Sequence, residues 1–467
     1  MFFCFDSKTW AEQQFKDCEL GDRRRTERLI KMAWKVAENP SASFAEQMET
    51  WGDLKAAYRL FDEEDVTFEG VVRPHWEQTR QVAPGRYLLL DDTTELDFGV
   101  HRQIEGVGPT GNGGGRGFLL HNALMVRAET QEVLGVAGQA IHYRKPRPPK
   151  ESASKRFKRD RESVLWGNVI DEINRPPEGV EFVHVCDRGA DSYEVFCHFV
   201  EQQCGWVVRA SSIHRKILTP EGEELPLSKY LSGLPLAGTY ELQVRSRKGQ
   251  PARTATLEVR FGTLQMPVPR HTSPSVKERD LPSIEMRVVD IREVNAPKGV
   301  EPISWVLYTS LQVDTFDDAW VIIEYYEARW LVEEYHKALK TGCRVTKRGL
   351  RKGSRLEPMV GLMSVVAVRL LQLKSVARSD PNRPARHVVP HLWLGMLKVA
   401  RKNLPRVYDL TVGQFYRELA KLGGFLGRRS DGQPGWITIW RGWEKLNMLV
   451  RGAELASQLQ GQRKKCG

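Results

Sequence analysis

Apolar positions recur at helical spacing near the start of the chain. In LGDRRRTERLIKMAWKVAENP, Leu29, Ile30, Ala33, Trp34 and Ala37 form one stripe, and Asn39-Pro40 ends the run. Residues 1 to about 70 are therefore expected to be helical. From about residue 85 the texture changes. RYLLLDD, GFLLHNALMV and EVLGVAGQAI are short apolar runs separated by turn residues, and EFVHVC follows a helical segment as a further buried strand. A helix-like DSYEVFCHFVEQQ and a strand in CGWVVRAS lead into TYELQVRS, RTATLEVRFGTLQMPVP and SIEMRVVDIREV, whose alternation predicts a β-rich stretch at about 205–300. Helical spacing returns in YEARWLVEEYHKALK, and EPMVGLMSVVAVRLLQL reads as a long buried helix. LAKLGGFLG and WITIWRGWEKLNMLV predict a helical C-terminal region, in which Trp436, Trp440 and Trp443 are either an exposed apolar patch or internal core. This order of elements places the chain in the α/β class.

Composition adds a partner to that outline. A chain of 467 residues exceeds one ordinary core, so two or three domains are expected. The formal charge of +11 favours a polyanion, because basic clusters gain by releasing its counterions. Arg23, Arg24, Arg25, Arg28, Lys31 and Lys35 lie opposite the first apolar stripe, either as a solvated face or laid on DNA phosphates. Residues 144–161 hold nine Lys or Arg against Glu151 and Asp160, a linker or a backbone clamp. TGCRVTKRGLRKGSR carries Arg344, Lys347, Arg348, Arg351, Lys352 and Arg355 without an acid, and Arg209, Arg215, Lys216, Arg245, Arg247 and Lys248 stud the β-rich stretch.

Other classes lose ground. Seven scattered cysteines make no disulfide framework and fit a reducing cytoplasm. The start lacks a basic segment followed by an apolar one, and MVGLMSVVAV is broken by Arg369 well short of a membrane span, so a soluble protein without a membrane partner is expected. Gly106, Gly108 and Gly111 match G-x-G-x-x-G in form, but Pro109 interrupts the motif and a strand pattern follows, so a loop is the reading. His184, Cys186, Cys197, His198 and Cys204 are close in sequence yet show no C-x-x-C spacing, which disfavours zinc.

The chemistry lies in three acids. Tyr326, Arg329, Glu333 and Lys340 are spaced three, four and seven apart, so one α-helix would project all four from one face. Asp92 and Asp187 each end an apolar run, which is how a buried strand delivers a carboxylate to its C-terminal edge. Three carboxylates converging in a basic protein point to divalent metal ions working on a phosphodiester: two Mg²⁺ about 4 Å apart activate the attacking oxygen and stabilise the leaving one. Asp91 competes with Asp92 and Asp191 with Asp187; alternation does not decide, because a buried central strand is apolar on both faces.

These spacings resemble the DDE transposases of bacterial insertion sequences, in the class marked by Tyr-(2)-Arg-(3)-Glu-(6)-Lys. The family's Asp-Thr-Thr and Asp-Arg-x-Ala-Asp patterns map onto Asp92-Thr93-Thr94 and Asp187-Arg188-Gly189-Ala190-Asp191, which selects Asp92 and Asp187; Gly189 departs from a position that is often acidic. The resemblance implies a ribonuclease-H-like mixed sheet as catalytic core at 71–372, with a β-rich insertion at about 205–300. A helical end-binding domain at 1–70 and a helical dimerisation domain at 373–467 would flank it. It implies Asp92, Asp187 and Glu333 as catalytic residues holding two Mg²⁺, with Mn²⁺ as substitute, and Tyr326, Arg329 and Lys340 on DNA phosphates. Trp305, twenty-one residues before Tyr326, would stack on a flipped base during hairpin formation. Arg23, Arg24, Arg28, Arg209, Arg344, Lys347 and Arg348 are further candidates for DNA contact. The implied partners are inverted-repeat ends, target DNA and a second copy of the chain, each copy cutting the end held by the other in the bacterial cytoplasm, on the nucleoid when bound to DNA. A metal-dependent nuclease without strand transfer and a non-catalytic end-binding regulator are the alternatives.

Overall fold

The computed structural model describes residues 4–99, 103–145, 161–244, 251–270, 272–401, 404, 409–428 and 431–463. The first five helices each start on a short polar side chain that accepts from an open backbone N–H of the first turn. Asp6, Asp22, Ser43, Thr50 and Thr67 cap α1 (Ser7–Phe15), α2 (Arg23–Glu38), α3 (Phe44–Gln47), α4 (Trp51–Leu60) and α5 (Phe68–Arg80). The stripe of α2 buries Leu29, Met32, Ala33, Val36 and Ala37, while Ile30 and Trp34 stay half-buried at its margin. Trp10, Phe15, Val71, Val72 and Trp76 from α1 and α5 complete this layer, which is continuous with the core beneath the sheet.

His75 of α5 ties the layers together. Its Nδ1 lies 2.6 Å from Gln14 Oε1 on α1, and its Nε2 accepts from the Val136 N–H at 3.1 Å. That pairing requires a neutral ring, and burial pushes its pKa down from 6.5 to about 4. Below pH 6.5 the unfolded chain takes up a proton that the folded ring refuses, so stability is full above that pH and drains away as pH falls towards 4. Going from pH 7 to pH 5 is expected to cost about 2 kcal/mol through this residue. Thermal melts at the two pH values check it: His75→Gln should show a visibly shallower acid dependence than the parent, and identical slopes would refute the assignment.

The sheet is built from β1 (Gly85–Asp97), β2 (Gly108–Thr110), β3 (Gly115–Arg127), β4 (Val133–His142), β5 (Val180–Cys186), β6 (Gly205–Arg209), β7 (Lys216–Leu218), β8 (Glu224–Pro226), β9 (Gly238–Val244), β10 (Arg253–Met266), β11 (Ile284–Val294) and β12 (Ser304–Thr309). Its order is β2-β3-β1-β5-β6-β12-β11-β10-β7-β8, with β4 beside β3 and β9 beside β10. β5 pairs in parallel with both β1 and β6; the other pairings between these strands are antiparallel. The sheet is mixed, as expected. The β-rich stretch is not a separate layer, because β12 pairs with β6 and carries β11 and β10 on in the same sheet. Helices α6 (Val164–Ile173), α7 (Tyr193–Glu201), α8 (Leu227–Gly233) and α9 (Pro274–Arg279) connect these strands. The glycine segment read as a loop contains β2, paired with β3; a Cβ on Gly117 opposite it would collide with the Leu96 carbonyl, so close strand approach accounts for that glycine. Of the basic stretch 144–161, residues 146–160 lie outside the described residues, as do Arg245, Arg247 and Lys248.

Beyond the sheet come α10 (Phe316–Ala328), α11 (Trp330–Lys337), α12 (Gly353–Ser379), α13 (His391–Ala400), α14 (Val412–Leu422) and α15 (Trp436–Arg463). α12 is the predicted long buried helix, and it runs unbroken through residue 372, where a domain boundary was expected. Its stretch Gly353–Ser375 is longer than the sequence reading allowed. By length and composition it suffices to cross a membrane, yet 89% of its apolar window is buried inside the protein. Arg369 does not break it: the guanidinium is buried 4.8 Å from the Trp10 ring and 5.7 Å from that of Trp443. Trp436, Trp440 and Trp443 are core, with Trp440 stacked on Trp443 at 4.6 Å, which decides between the two readings of that cluster.

Candidate active site

Parallel pairing of β1 with β5 sets the site. Asp91 is the register partner of Cys186, the last pair of that register, so Asp92, still within β1, and Asp187, just past the end of β5, neighbour each other where the parallel pairing stops. Asp187 ends its strand by capping the short 3₁₀ turn Arg188–Ala190, its Oδ1 accepting from the Gly189 N–H at 2.7 Å. A Cβ on residue 189 would meet both Asp187 Oδ1 and the Trp166 ring at 2.9 Å, a steric reason for glycine at the one position that departs from the family pattern.

Strand alternation turns Asp91 and Asp92 to opposite faces. Asp92 faces the junction of α10 and α11: Arg329 Nη1 donates to its Oδ2 at 3.3 Å, and Nη2 of the same guanidinium donates to Glu333 Oε1 at 2.7 Å. Asp91 is buried on the other face, its Oδ2 bonded to His184 Nδ1 at 2.8 Å. Asp191 is buried too, held by Arg215 at 2.5 Å and by the Ser211 N–H and hydroxyl at 2.6 and 2.7 Å. Both competitors are therefore already engaged by structural partners.

The four residues expected on one helical face do not share one regular helix. The chain tightens at Arg329, whose N–H donates to the Tyr326 carbonyl three residues back, and widens into a π-turn at Ala338–Gly342 that carries Lys340. Without proline near either irregularity, the spacing gave no sign of them. Tyr326 is buried rather than presented to solvent, with the Trp305 ring 5.6 Å away in an edge-on contact. Trp305 itself is half-buried at the start of β12.

His336, one turn beyond Glu333, escaped the sequence reading. Its Nε2 accepts from Asn122 Nδ2 at 3.0 Å, which leaves Nδ1 to carry the proton and face Asp92 Oδ2 at 4.0 Å. The E-x-x-H spacing within the helix was the signal that could have found it. Burial, then the charges of Lys340, His121 and Arg329, push its pKa down to about 3, so it stays neutral.

Asp92 has the opposite problem. Burial, against the pull of Arg329 and with the push of Asp187, raises its carboxyl to about 6. Burial also lowers the Lys340 ammonium, against the pull of Glu95 and Asp92. Asp92, Asp187 and Glu333 offer only hard carboxylate oxygens, and Asp92 is incompletely compensated, so the donor chemistry suits Mg²⁺ or Mn²⁺. Among the described residues, no group of three His, Cys, Asp or Glu side chains is gathered closely enough to hold a metal ion, and Arg329 is the cation that spans Asp92 and Glu333 here. The residues once weighed for zinc point elsewhere: His184 and Cys186 face Asp91, and His198 pairs with Asp171 at 2.9 Å.

The remaining basic candidates divide. Arg23 and Arg24 are exposed, with one acidic neighbour each in Glu27 and Asp22. Arg28 is pinned to Asp53, joining α2 to α4. Arg209 donates to the Ser304 carbonyl at 3.0 Å and Arg344 to that of Ser41 at 3.5 Å, while Arg344 and Lys347 are exposed. Arg348 is a correction: it is buried, donating to the carbonyls of Pro40 at 2.6 Å, Cys343 at 2.7 Å and Ala42, so it ties segments together instead of facing DNA.

Comparison with known families places both ends of the chain. Residues 7–66 match the family Transposase DNA-binding, and residues 365–461 match Transposase Tn5 dimerisation domain. The first covers the capped helices that present Arg23 and Arg24; the second covers the end of α12, all of α13 and α14, and α15 as far as residue 461. A transposase DNA-binding domain on one flank of the carboxylate-bearing sheet and a Tn5-type dimerisation domain on the other together support a Tn5-like transposase.

Proposed function

We propose that this protein is a cut-and-paste transposase whose ribonuclease-H-like core cleaves inverted-repeat ends through a hairpin and joins the freed 3′ ends to target DNA. The observation that carries the reading is the juxtaposition of Asp92 and Asp187 just past the last register pair of the parallel strands β1 and β5, with Glu333 linked to Asp92 through one guanidinium. Two Mg²⁺ ions, or Mn²⁺ in their place, held by Asp92, Asp187 and Glu333, would activate the attacking oxygen and stabilise charge on the leaving one. Water attacks the end phosphodiester to free a 3′ hydroxyl; that hydroxyl attacks the opposite strand; water reopens the hairpin; and the 3′ hydroxyl attacks the target. In each displacement the attacking O–H loses a proton and the departing 3′ oxygen gains one.

The chain's own groups orient these steps. Arg329 exchanges its carboxylate partners for a phosphate, whose geometry suits its fork of donors. Lys340, desolvated in the π-turn, gains by pairing with a second phosphate. Trp305 offers a flat face to an unstacked base, with Tyr326 packed behind it. Two copies each hold one end and cut the other's, in a bacterial cytoplasm that keeps the cysteines as thiols.

Purified protein incubated with its flanking repeat DNA and Mg²⁺, resolved on a denaturing gel, tests this directly. Nicks, hairpins and joined products are expected in that order of appearance. Cleavage without joining of precut ends would identify a nuclease, and end binding without any cleavage a regulator.

A further inference from the structure

A polar layer lies behind the two catalytic strands, on the face opposite Arg329 and Glu333. His184 of β5 and Asp91 of β1 are not register partners; His184 pairs with Leu89, and its ring reaches diagonally along the sheet to bond Asp91 Oδ2 at 2.8 Å. Both side chains are buried, at 0% and 1% exposure. The pair is enclosed: Phe199 of α7 packs on the His184 ring at 5.2 Å, and His121 of β3, itself bonded to Thr93 Oγ1 at 2.8 Å, covers the other side of Asp91 with Trp166 against it. Two buried polar groups joined by one hydrogen bond at this depth resist any sliding of one strand past the other, since a slip strands both without solvent.

The location gives the bond its consequence. Asp91 immediately precedes Asp92, and His184 lies three residues before Asp187. The diagonal bond therefore ties the middle of β1 to the last stretch of pairing in β5, just before the two carboxylates. We propose that the Asp91–His184 pair is a positioning device that sets the spacing of Asp92 and Asp187, and hence the affinity of the site for divalent cations. This rests on the reading of those acids as metal-holding residues. Asp91 and His184 touch neither DNA nor the reacting atoms; they act through their neighbours.

The test uses the full-length protein and Mn²⁺ alone, titrated by calorimetry, with thermal melts and gel-shift binding to repeat DNA alongside. His184→Leu removes the donor, whereas His184→Asn keeps an N–H near the position of Nδ1. The leucine variant is expected to bind Mn²⁺ at least tenfold more weakly, the asparagine variant within threefold of the parent, and both to bind end DNA within twofold. Should the leucine variant fail to fold, Asp91→Asn, of unchanged size, is expected to weaken Mn²⁺ binding three- to tenfold while melting within a few degrees of the parent. Unchanged Mn²⁺ affinity in the leucine variant overturns the proposal, as does a loss in both His184 variants that merely tracks their melting temperatures. If the parent itself takes up no Mn²⁺, the reading of Asp92, Asp187 and Glu333 fails first and the positioning role falls with it, an outcome distinct from a parent that binds and variants that do not differ.

Discussion

Asp187→Asn, Asp92→Asn and Glu333→Gln are each expected to reduce end cleavage by about 10³-fold or more while leaving end binding within about twofold, a loss equivalent to roughly 4 kcal/mol of transition-state stabilisation. Each change keeps the size of the side chain and removes only its charge, so packing has little to lose. The exposed arginines of α2 are remote in the chain from all three acids and keep their neighbours. Asp92→Asn carries a second, opposite signature. Its carboxyl sits at about 6 instead of 3.8 because of burial and Asp187, even with Arg329 beside it. A carboxylate with a raised folded pKa costs stability at pH 7, of order 3 kcal/mol. The amide relieves that cost, so the inactive Asp92→Asn protein should melt higher than the parent. Gel assays with Mg²⁺ and thermal melts read the two effects separately; wild-type cutting by any one variant removes that residue from the site.

That pairing of lost activity with gained stability also marks what a sequence can and cannot convey. Asp92 and Asp187 were legible because an apolar run ending in an acid is unusual, and because two short motifs picked them out. Their adjacency was not, since it depends on the parallel register of β1 with β5 across some ninety intervening positions. Asp91 was indistinguishable from Asp92 for the same reason: its partner His184 is distant in the chain, and a buried ion-pairing acid looks like a catalytic one until its neighbours are known. The tetrad around Glu333 was found by helical spacing, but that spacing assumes one regular helix and so missed the tightening at Arg329 and the π-turn that carries Lys340. The tryptophans of α15 illustrate the limit from the apolar side, because periodicity marks a face without saying what covers it.

Arg348 is where a charge pattern misleads most, and its substitution is expected to be costly. It stands in a run with Arg344, Lys347, Arg351, Lys352 and Arg355, and nothing in that run distinguishes it. Yet it is 3% exposed, lies 5.1 Å from the Phe44 ring, and donates to backbone carbonyls on both sides of an interface between the loop after α2 and the segment after the π-turn. Burial lowers its pKa to about 10, which measures the cost of holding the charge there. Arg348→Met fills much of the volume and recovers that desolvation, but leaves three carbonyls without their donor, each worth about 1–3 kcal/mol when buried. The balance is a destabilisation of about 3–4 kcal/mol, in the range for breaking a buried charged network. Arg348→Lys should recover only part of it, because one ammonium cannot match a planar fork of donors. Exposed Arg344→Met should change stability by less than about 0.5 kcal/mol. Thermal melts of the three variants, read beside gel shifts, distinguish the roles. A tie between segments predicts a large drop in melting temperature for Arg348→Met. A DNA contact predicts an unchanged melt with weakened, less salt-sensitive binding, and that result would return Arg348 to the DNA-facing set.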